Sequence, residues 1–152
     1  MAVYVLNEWF WHDASGDNDE PRRDAAYKVI VKLATSDDQI VVVCGGVYWQ
    51  KMWNFCSQCT EGMSRVVVRL FVHSIFYNAD RCLIINIDDL EEIEEDLAAL
   101  FNEDDHYLVR AQVATDGSCI VSTDGKLLAE LQRLGRSCVH RDEFIKQYLE
   151  KI

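Results

Sequence analysis

The sequence predicts an α/β fold, in which a mainly parallel sheet of about five strands lies between two layers of helices. Short, almost wholly apolar runs alternate along the chain with longer segments in which apolar residues recur at helical spacing. With only one Pro and seven Gly among 152 residues, the sequence has little material for long loops. We therefore expect a three-layer α/β/α architecture whose elements follow one another closely.

Five short runs rich in Val, Ile and other β-forming residues are predicted to be strands. The runs are mostly apolar rather than alternating, which is typical of parallel strands that are covered on both faces. In chain order they cover residues 2–6, 39–44, 82–87, 118–123 and 137–140.

The segments between and after these runs are predicted to be helices. Pro21 suits a first helical turn, and the apolar residues that follow it keep helical spacing until the polar residues 35–38. Gly135 is placed to end the helix that precedes the last strand. The helix that begins near Pro21 is followed by predicted helices over residues 47–56, 61–77, 89–100, 103–115, 125–134 and 142–151.

The composition favours one compact domain over residues 1–152, because 49% of the residues are hydrophobic and 27% are charged. The 26 acidic residues outnumber the 15 basic ones, so the net charge is −11. This charge argues against a protein that holds nucleic acid through bulk positive charge.

Residues 1–6 lack the basic flank of an export signal, and the most apolar stretch, residues 63–76, is too short to span a membrane. We expect a cytoplasmic protein without a membrane span.

The six cysteines are expected to be reduced, since no export signal precedes them. Cys44, Cys82, Cys119 and Cys138 stand in or beside apolar runs, where they are expected to be small buried hydrophobic residues. Cys56 and Cys59 have a spacing found in zinc and redox sites, but no second ligand pair accompanies them and they end a predicted helix. These features favour neither use.

Acidic residues stand where an α/β sheet binds ligands, at the carboxyl ends of its strands. The first predicted strand ends in Asn7 and Glu8, Asp124 follows the fourth, and the acids 103–105 open the helix before it. Clustered carboxylates raise one another's pKa unless a cation neutralises them, and Mg²⁺ or Mn²⁺ with carboxylate ligands activates water against phosphodiesters. Asp105 and Asp124 also suit a helix cap and a turn, so a purely structural interpretation stays open.

The second half of the chain resembles a known family. Residues 105–128 read DHYLVRAQVATDGSCIVSTDGKLL: an acid opens a helix, a small turn follows, and a strand ends in an acid before a helix with a leucine pair. This pattern resembles the C-terminal half of a PIN domain, and the 19 positions between Asp105 and Asp124 are close to the family spacing. The opening VYVLNEWFWHD and the tail CVHRDEFI resemble the family's first strand and its last strand and helix, while the middle is matched by pattern alone.

PIN-like proteins are typically metal-dependent nucleases, most often ribonucleases, with three or four acids around one or two Mg²⁺ or Mn²⁺ ions. The resemblance implies that Asp105 and Asp124 are two of these acids. The family normally has Asp where this chain has Asn7, so Glu8 would supply the missing carboxylate and Asn7 would orient a water or a ligand. A shift of one or two residues in the alignment with the family pattern would exchange these acids with their neighbours. Asp13, Asp104 and Asp116 are therefore secondary candidates for the acidic site.

A second departure lies in the helix after the second strand, where the family often has Glu and this chain has Trp49 and Gln50. The resemblance therefore implies one of two functions. The first is metal-assisted hydrolysis of RNA by Glu8, Asp105 and Asp124, as in the toxin of a two-protein system. The second is a catalytically silent PIN-like module that binds RNA or a protein partner. A toxin-type PIN domain usually pairs with itself or an antitoxin, so a homodimer or a basic protein partner is expected.

Two groups of side chains are candidates for RNA contact. Arg65, Arg69 and His73 recur every four residues and so form one stripe of a helix, which suits a phosphate backbone but suits a solvent-facing helix edge better. Large aromatic residues near the strand ends could stack on single-stranded bases. Most of them are nevertheless expected to be buried: Trp9, Phe10, Trp11, Tyr48, Trp49 and Trp53.

Overall fold

A computed structural model describes residues 1–151 of the chain. Its strands form one sheet in which all neighbouring pairs are parallel, in the order β3-β2-β1-β4-β5. Helices lie on both faces of this sheet, so the predicted three-layer α/β/α fold is confirmed. The strands are β1 (Val3–Leu6), β2 (Gln39–Cys44), β3 (Cys82–Asn86), β4 (Cys119–Ser122) and β5 (Cys138–His140).

Eight α-helices connect and follow the strands within the described residues. They are α1 (Trp9–Ser15), α2 (Glu20–Thr35), α3 (Val47–Gln58), α4 (Gly62–Phe71), α5 (Glu95–Ala98), α6 (His106–Ala114), α7 (Gly125–Arg133) and α8 (Arg141–Glu150). A π-helical turn (Val72–Phe76) continues α4, and short 3-10 turns cover Ile87–Asp89 and Glu103–Asp105. Among residues 1–151, no helix has both the length and the apolar character needed to cross a bilayer.

Side chains that alternate along the strands divide the core into two halves. Leu6, Val42 and Val121 point to the face that α1, α2, α3, α4 and α8 cover. Their neighbours Val5 and Val41 point to the opposite face, which α6 and α7 cover. Each of these side chains is buried, and burial of one Val or Leu side chain contributes about 1.5–3 kcal/mol. Both faces of the central strands are therefore apolar, as the unbroken hydrophobic runs predicted.

The strand order places a topological switch between β1 and β4. From β1 the chain moves outward to β2 and β3, and it then returns to the other side of β1 to form β4 and β5. Leu6 of β1 lies beside Val121 of β4, so both strands end at the same level of the sheet. A crevice at such a switch is where open α/β sheets bind ligands.

Two segments differ from the sequence predictions. Residues 9–15, for which neither a helix nor a strand was predicted, form α1, and its three consecutive aromatic residues are buried between the sheet and the surrounding helices. The predicted helix over residues 89–100 is wrong, because only Glu95–Ala98 is helical there. The guanidinium of Arg110 donates to the carbonyl oxygens of Ile87, Leu90 and Glu91. These carbonyls are thereby held outside a helix, and the run of like charges disfavours one as well.

The cysteines are free thiols in the described residues, as expected. Cys82 is buried, whereas Cys44, Cys119 and Cys138 are only partly buried, contrary to expectation. Cys44 lies at the carboxyl end of β2, and Cys119 and Cys138 lie at the amino ends of β4 and β5, where the helical layers stop covering the sheet.

Candidate functional site

A cleft of about 1070 Å³ opens at the carboxyl ends of β1, β2 and β4. It brings together the segments that the sequence singled out, since Asn7 and Glu8, the acids 103–105, and Asp124 all line it. Lys51, Arg110 and Arg141 are its basic lining residues. We call this the acidic cleft, after the six carboxylates that line it: Glu8, Glu92, Glu103, Asp104, Asp105 and Asp124.

Asn7 fastens the end of β1 to the neighbouring elements. Its side-chain oxygen accepts hydrogen bonds from the Glu8 N–H at 2.7 Å and from the Tyr107 hydroxyl at 3.0 Å. Its amide nitrogen donates to Ser122 Oγ at 3.2 Å, and its backbone N–H donates to the Val121 carbonyl. The amide group has two hydrogens, so one remains to orient a water or a ligand, which is the role expected of Asn7.

Asp105 and Asp124 differ in how much of their carboxylate the protein uses. Asp124, for which the structural alternative was a turn, caps α7, because its Oδ1 accepts from the N–H groups of Lys126 and Leu127 at 3.0 and 3.2 Å. Asp105 precedes α6 but makes no side-chain capping bond. No residue in the range 1–151 donates to its carboxylate or to Asp124 Oδ2. Both acids therefore keep oxygen atoms available for a ligand.

The electrostatics of Asp105 reflect this lack of partners. Burial, and then the negative charges of Asp124 and Asp104, raise the pKa of Asp105 above its ordinary value. Glu8 adds to this effect, while His106 opposes it. The carboxylates of Asp105 and Asp124 therefore repel each other, and a cation between them would relieve this repulsion.

Glu8 is paired with a residue that the sequence analysis missed. Lys51 Nζ on α3 lies 2.9 Å from Glu8 Oε2, and both side chains are about half exposed. Lys51 directly follows Trp49 and Gln50, the positions at which the PIN resemblance looked for a carboxylate. Its spacing of three from Tyr48, which puts both on one face of α3, was the only signal in the sequence.

A divalent ion in the acidic cleft would be held by carboxylate oxygens. No three His, Cys, Asp or Glu side chains within residues 1–151 are grouped as a metal site requires. With Glu8 turned toward Lys51, Asp105 and Asp124 are the partly buried carboxylates of the cleft that keep free oxygens, whereas Glu103 and Asp104 are exposed. Hard cations such as Mg²⁺ bind proteins through one or two carboxylates and keep several waters. The carboxylate oxygens of Asp105 and Asp124 are the kind of donor that such an ion prefers.

Buried aromatic residues form the floor beneath these acids. Trp9 Nε1 donates to the Val121 carbonyl at 2.9 Å, and the Tyr48 hydroxyl donates to the Leu6 carbonyl at 3.0 Å. Tyr107 stacks on Tyr48 with ring centroids 5.3 Å apart. Of the six aromatic residues proposed for base stacking, four are buried and Trp49 and Trp53 are partly buried, as expected. The aromatic floor holds the ends of β1 and β4 together.

The basic stripe lies away from the cleft. Arg65 and Arg69 on α4 and His73 in the π-helical turn are exposed, and none of the three lines the acidic cleft. They follow one edge of a helix whose other side carries the buried Val67, Val68 and Phe71. The arrangement agrees with the solvent-facing edge that the sequence favoured.

The second-rank acids separate from one another. Asp104 lines the acidic cleft, whereas Asp116 lies at the opposite end of the sheet with a left-handed φ of 57°. Asp13 is fully buried, accepts a hydrogen bond from Asn18, and lies 3.5 Å from Arg141 Nη1. Burial raises its pKa most, against the bonds and charges that lower it. Asp13 thus ties α1 to α8 beside the cleft.

The thiols of Cys56 and Cys59 lie at the end of α3. Burial, followed by the proximity of Cys59, raises the pKa of Cys56 to about 11, and burial raises that of Cys59 as well. Reactive cysteines and thiolate ligands need a lowered pKa. The raised pKa values do not indicate a reactive thiol at either position.

Comparisons of the chain with protein-family models, with curated proteins and with solved structures found no match.

Proposed function

We propose that the protein is a PIN-like, divalent-metal-dependent ribonuclease whose centre is the acidic cleft. The observation that carries this proposal is the convergence of Glu8, Asp105 and Asp124, from three separate segments, on the switch point between β1 and β4. Two of these acids keep unpartnered oxygens in a setting that raises the pKa of Asp105. Such carboxylates favour a bound cation.

The cation would be Mg²⁺ or Mn²⁺, since the donors are carboxylate oxygens. When bound, it would supply Lewis-acid activation of water and phosphate. Asp105 and Asp124 would hold it, and Asn7 would orient a water through its remaining amide hydrogen. Release of Glu8 from Lys51 would add a third carboxylate and leave the ammonium of Lys51 free to attract the phosphate backbone.

Cleavage of RNA tests the proposal. Purified protein is incubated with end-labelled single-stranded RNA and Mn²⁺, beside the variants Asp105→Asn and Asp116→Asn. We expect Asp105→Asn to lower the cleavage rate at least about 100-fold, equivalent to ~2.7 kcal/mol of transition-state stabilisation. Asp116→Asn removes the same charge at the opposite end of the sheet, where Asn tolerates the left-handed backbone, and should cleave normally. Equal cleavage by all three proteins would refute the assignment.

The second candidate is a catalytically silent PIN-like module that binds RNA or a protein partner. The specific observation in its favour is the Lys51–Glu8 ion pair, which occupies the carboxylate nearest to the family's first acidic position. A calorimetric titration with Mn²⁺ separates the two functions. Saturable binding at micromolar Mn²⁺ that disappears in Asp124→Asn would count against the silent module, and Asn keeps the helix cap so that the fold is preserved.

The partner assignments extend the same proposal. A ribonuclease of toxin type would bind single-stranded RNA weakly, because the net charge is −11. It would pair with a basic, antitoxin-like protein or with a second copy of itself. Sedimentation of the purified protein alone, and with single-stranded RNA, measures both properties.

A further inference from the structure

The outer edge of β3 is open. Among residues 1–151, β3 pairs with β2 alone. On its other edge the Cys82 N–H donates to the Asn78 carbonyl of the preceding turn at 2.9 Å, and no backbone hydrogen bond joins the rest of this edge to another segment. The opposite edge of the sheet, β5, is only three residues long, a length that protects an edge strand from pairing. β3 has five residues and none of them is charged, so it lacks that protection.

Each face of the sheet has one exposed apolar side chain at this edge, although Cys82 is buried and Ile85 is partly buried. Leu83 lies beside Val41, and Ile84 lies beside Val42, and these two valines belong to opposite halves of the core. Leu83 is 40% exposed and Ile84 is 44% exposed. An added strand would therefore find unpaired backbone groups along β3 and an apolar side chain on each face.

A dense acidic segment follows β3 directly. Seven exposed acids stand within nine residues: Asp88, Asp89, Glu91, Glu92, Glu94, Glu95 and Asp96. In the described part of the chain, the one ion pair that involves them joins Arg110 to Glu92 at 3.7 Å. Arg110 also holds the backbone of this segment in place through three carbonyl oxygens. The negative charge is thus fixed at the end of β3 and is almost unneutralised.

This charge selects the occupant of the edge. Two copies that paired antiparallel about Ile84 would bring Asp80 of one copy opposite Asp88 of the other, because both lie four residues from Ile84. Like charges directly opposite each other destabilise a strand pair. A segment with Lys or Arg flanking a β-forming run would instead gain both backbone pairing and charge complementarity.

We propose that the edge of β3 binds an extended, basic segment of a protein partner by strand addition. The apolar side chains of the partner pack on Leu83 and Ile84, and its flanking basic residues contact Asp88 and Asp89. This surface does not depend on the metal chemistry proposed for the acidic cleft, so each can fail without the other.

The test uses the full chain, isotopically labelled for NMR, and two synthetic peptides, KKVTVTVKK and the charge-reversed EEVTVTVEE. The basic peptide should bind saturably and shift the backbone amide resonances of β3, and the acidic peptide should not bind. Ile84→Lys should abolish binding, because an inward-facing charge on an edge blocks strand addition. Val113→Lys is the matched control, since Val113 is 49% exposed on α6, and it should bind as the parent does.

A second variant separates charge from strand pairing. Asp88→Asn combined with Asp89→Asn leaves β3 unchanged and should weaken the basic peptide roughly three- to tenfold, with a smaller loss at high salt. Equal binding of both peptides, binding that Ile84→Lys leaves intact, or no binding at all would overturn the proposal. A dimer of the protein alone that Ile84→Lys dissociates would overturn it too, because a second copy would then occupy the edge.

Discussion

Asp38 and Asp105, which lie at opposite ends of the sheet, differ in how far the protein satisfies their carboxylates. At the amino end, Asp38 is 3% exposed and accepts hydrogen bonds from Ala2 N–H at 2.7 Å, the Tyr148 hydroxyl at 3.1 Å and Lys151 Nζ at 3.2 Å. At the carboxyl end, no described residue donates to the side chain of Asp105. A satisfied acid of the first kind stabilises the fold, whereas an unsatisfied one weakens it and is available to a ligand.

The pKa values follow the same contrast. Burial alone would raise the pKa of Asp38, but the bonds from Ala2, Lys151 and Tyr148, with the charge of Lys151, lower it below its ordinary value. Burial and the neighbouring acids raise that of Asp105. The second groove, of about 750 Å³, lies at the amino end and is lined by thiols and aromatic rings rather than by a cluster of acids. A cluster of acids thus distinguishes the carboxyl end of the sheet from the amino end.

The largest change in stability is expected when the satisfied acid, Asp38, is removed. Asp38→Ala leaves the Ala2 N–H, the Tyr148 hydroxyl and Lys151 without their shared acceptor and should lower the free energy of unfolding by about 3 kcal/mol. Urea denaturation measures this loss. Mn²⁺ affinity should not change, and a loss below about 1 kcal/mol would show that the contrast between the two ends is wrong.

The next largest effect is expected when a further carboxylate is added to the acidic cleft. Asn7→Asp introduces the acid that the resemblance to PIN domains predicts at this position, and the new carboxylate can still accept from Tyr107 and Glu8 N–H. We expect Mn²⁺ affinity to rise about tenfold, equivalent to ~1.4 kcal/mol. Calorimetry of Asn7→Asp beside the parent measures the change. An unchanged affinity would mean that Asn7 does not border the cation.

A smaller effect comes from the internal counter-charge. Lys51→Met frees Glu8 from its ion pair and should raise Mn²⁺ affinity two- to fivefold, because an exposed pair of this kind is worth about 0.2–1 kcal/mol. Lys28→Met, which removes one exposed positive charge from α2, is the control and should leave the affinity unchanged. Weaker binding by Lys51→Met would contradict the competition between the ammonium and the metal.

The smallest effect is the pH dependence of stability. The raised pKa of Asp105 means that its contribution to stability is present below its unfolded pKa and is lost as pH rises through its folded pKa. In the presence of a chelator, Asp105→Asn should therefore raise the unfolding free energy slightly near pH 7 and change nothing near pH 3. Asp38 has the opposite sign, since its contribution is lost as pH falls through its lowered folded pKa. A stability loss in Asp105→Asn near pH 7 would contradict the unpartnered state of this carboxylate.

The strands could be predicted from the sequence because each is a local property of an apolar run, and all five predicted runs contain an observed strand. The helix over residues 89–100 could not be excluded, because Leu90, Ile93 and Leu97 do keep helical spacing. Its loss depends on Arg110, which binds backbone carbonyls about twenty residues earlier. A long-range contact of this kind leaves no periodic signal in the chain.

The candidate site could be predicted in part from the order of the elements along the chain. Glu8, Asp105 and Asp124 follow from the rule that parallel strands place their carboxyl ends together. Lys51 and Tyr107 could not be recognised, because their roles depend on a side-chain rotamer and a hydroxyl direction. By contrast, the sequence did leave a local structural role open for Asp124, and the cap that it forms uses one carboxylate oxygen only.

A crystal soaked in Mn²⁺ would show most directly whether the acidic cleft binds a metal ion. We expect an anomalous peak between Asp105 and Asp124, with Glu8 rotated away from Lys51 toward the ion. The same soak of Asp105→Asn should show no peak. A parent crystal without a peak in the acidic cleft, in which Lys51 still contacts Glu8, would contradict the assignment of these acids to a metal centre.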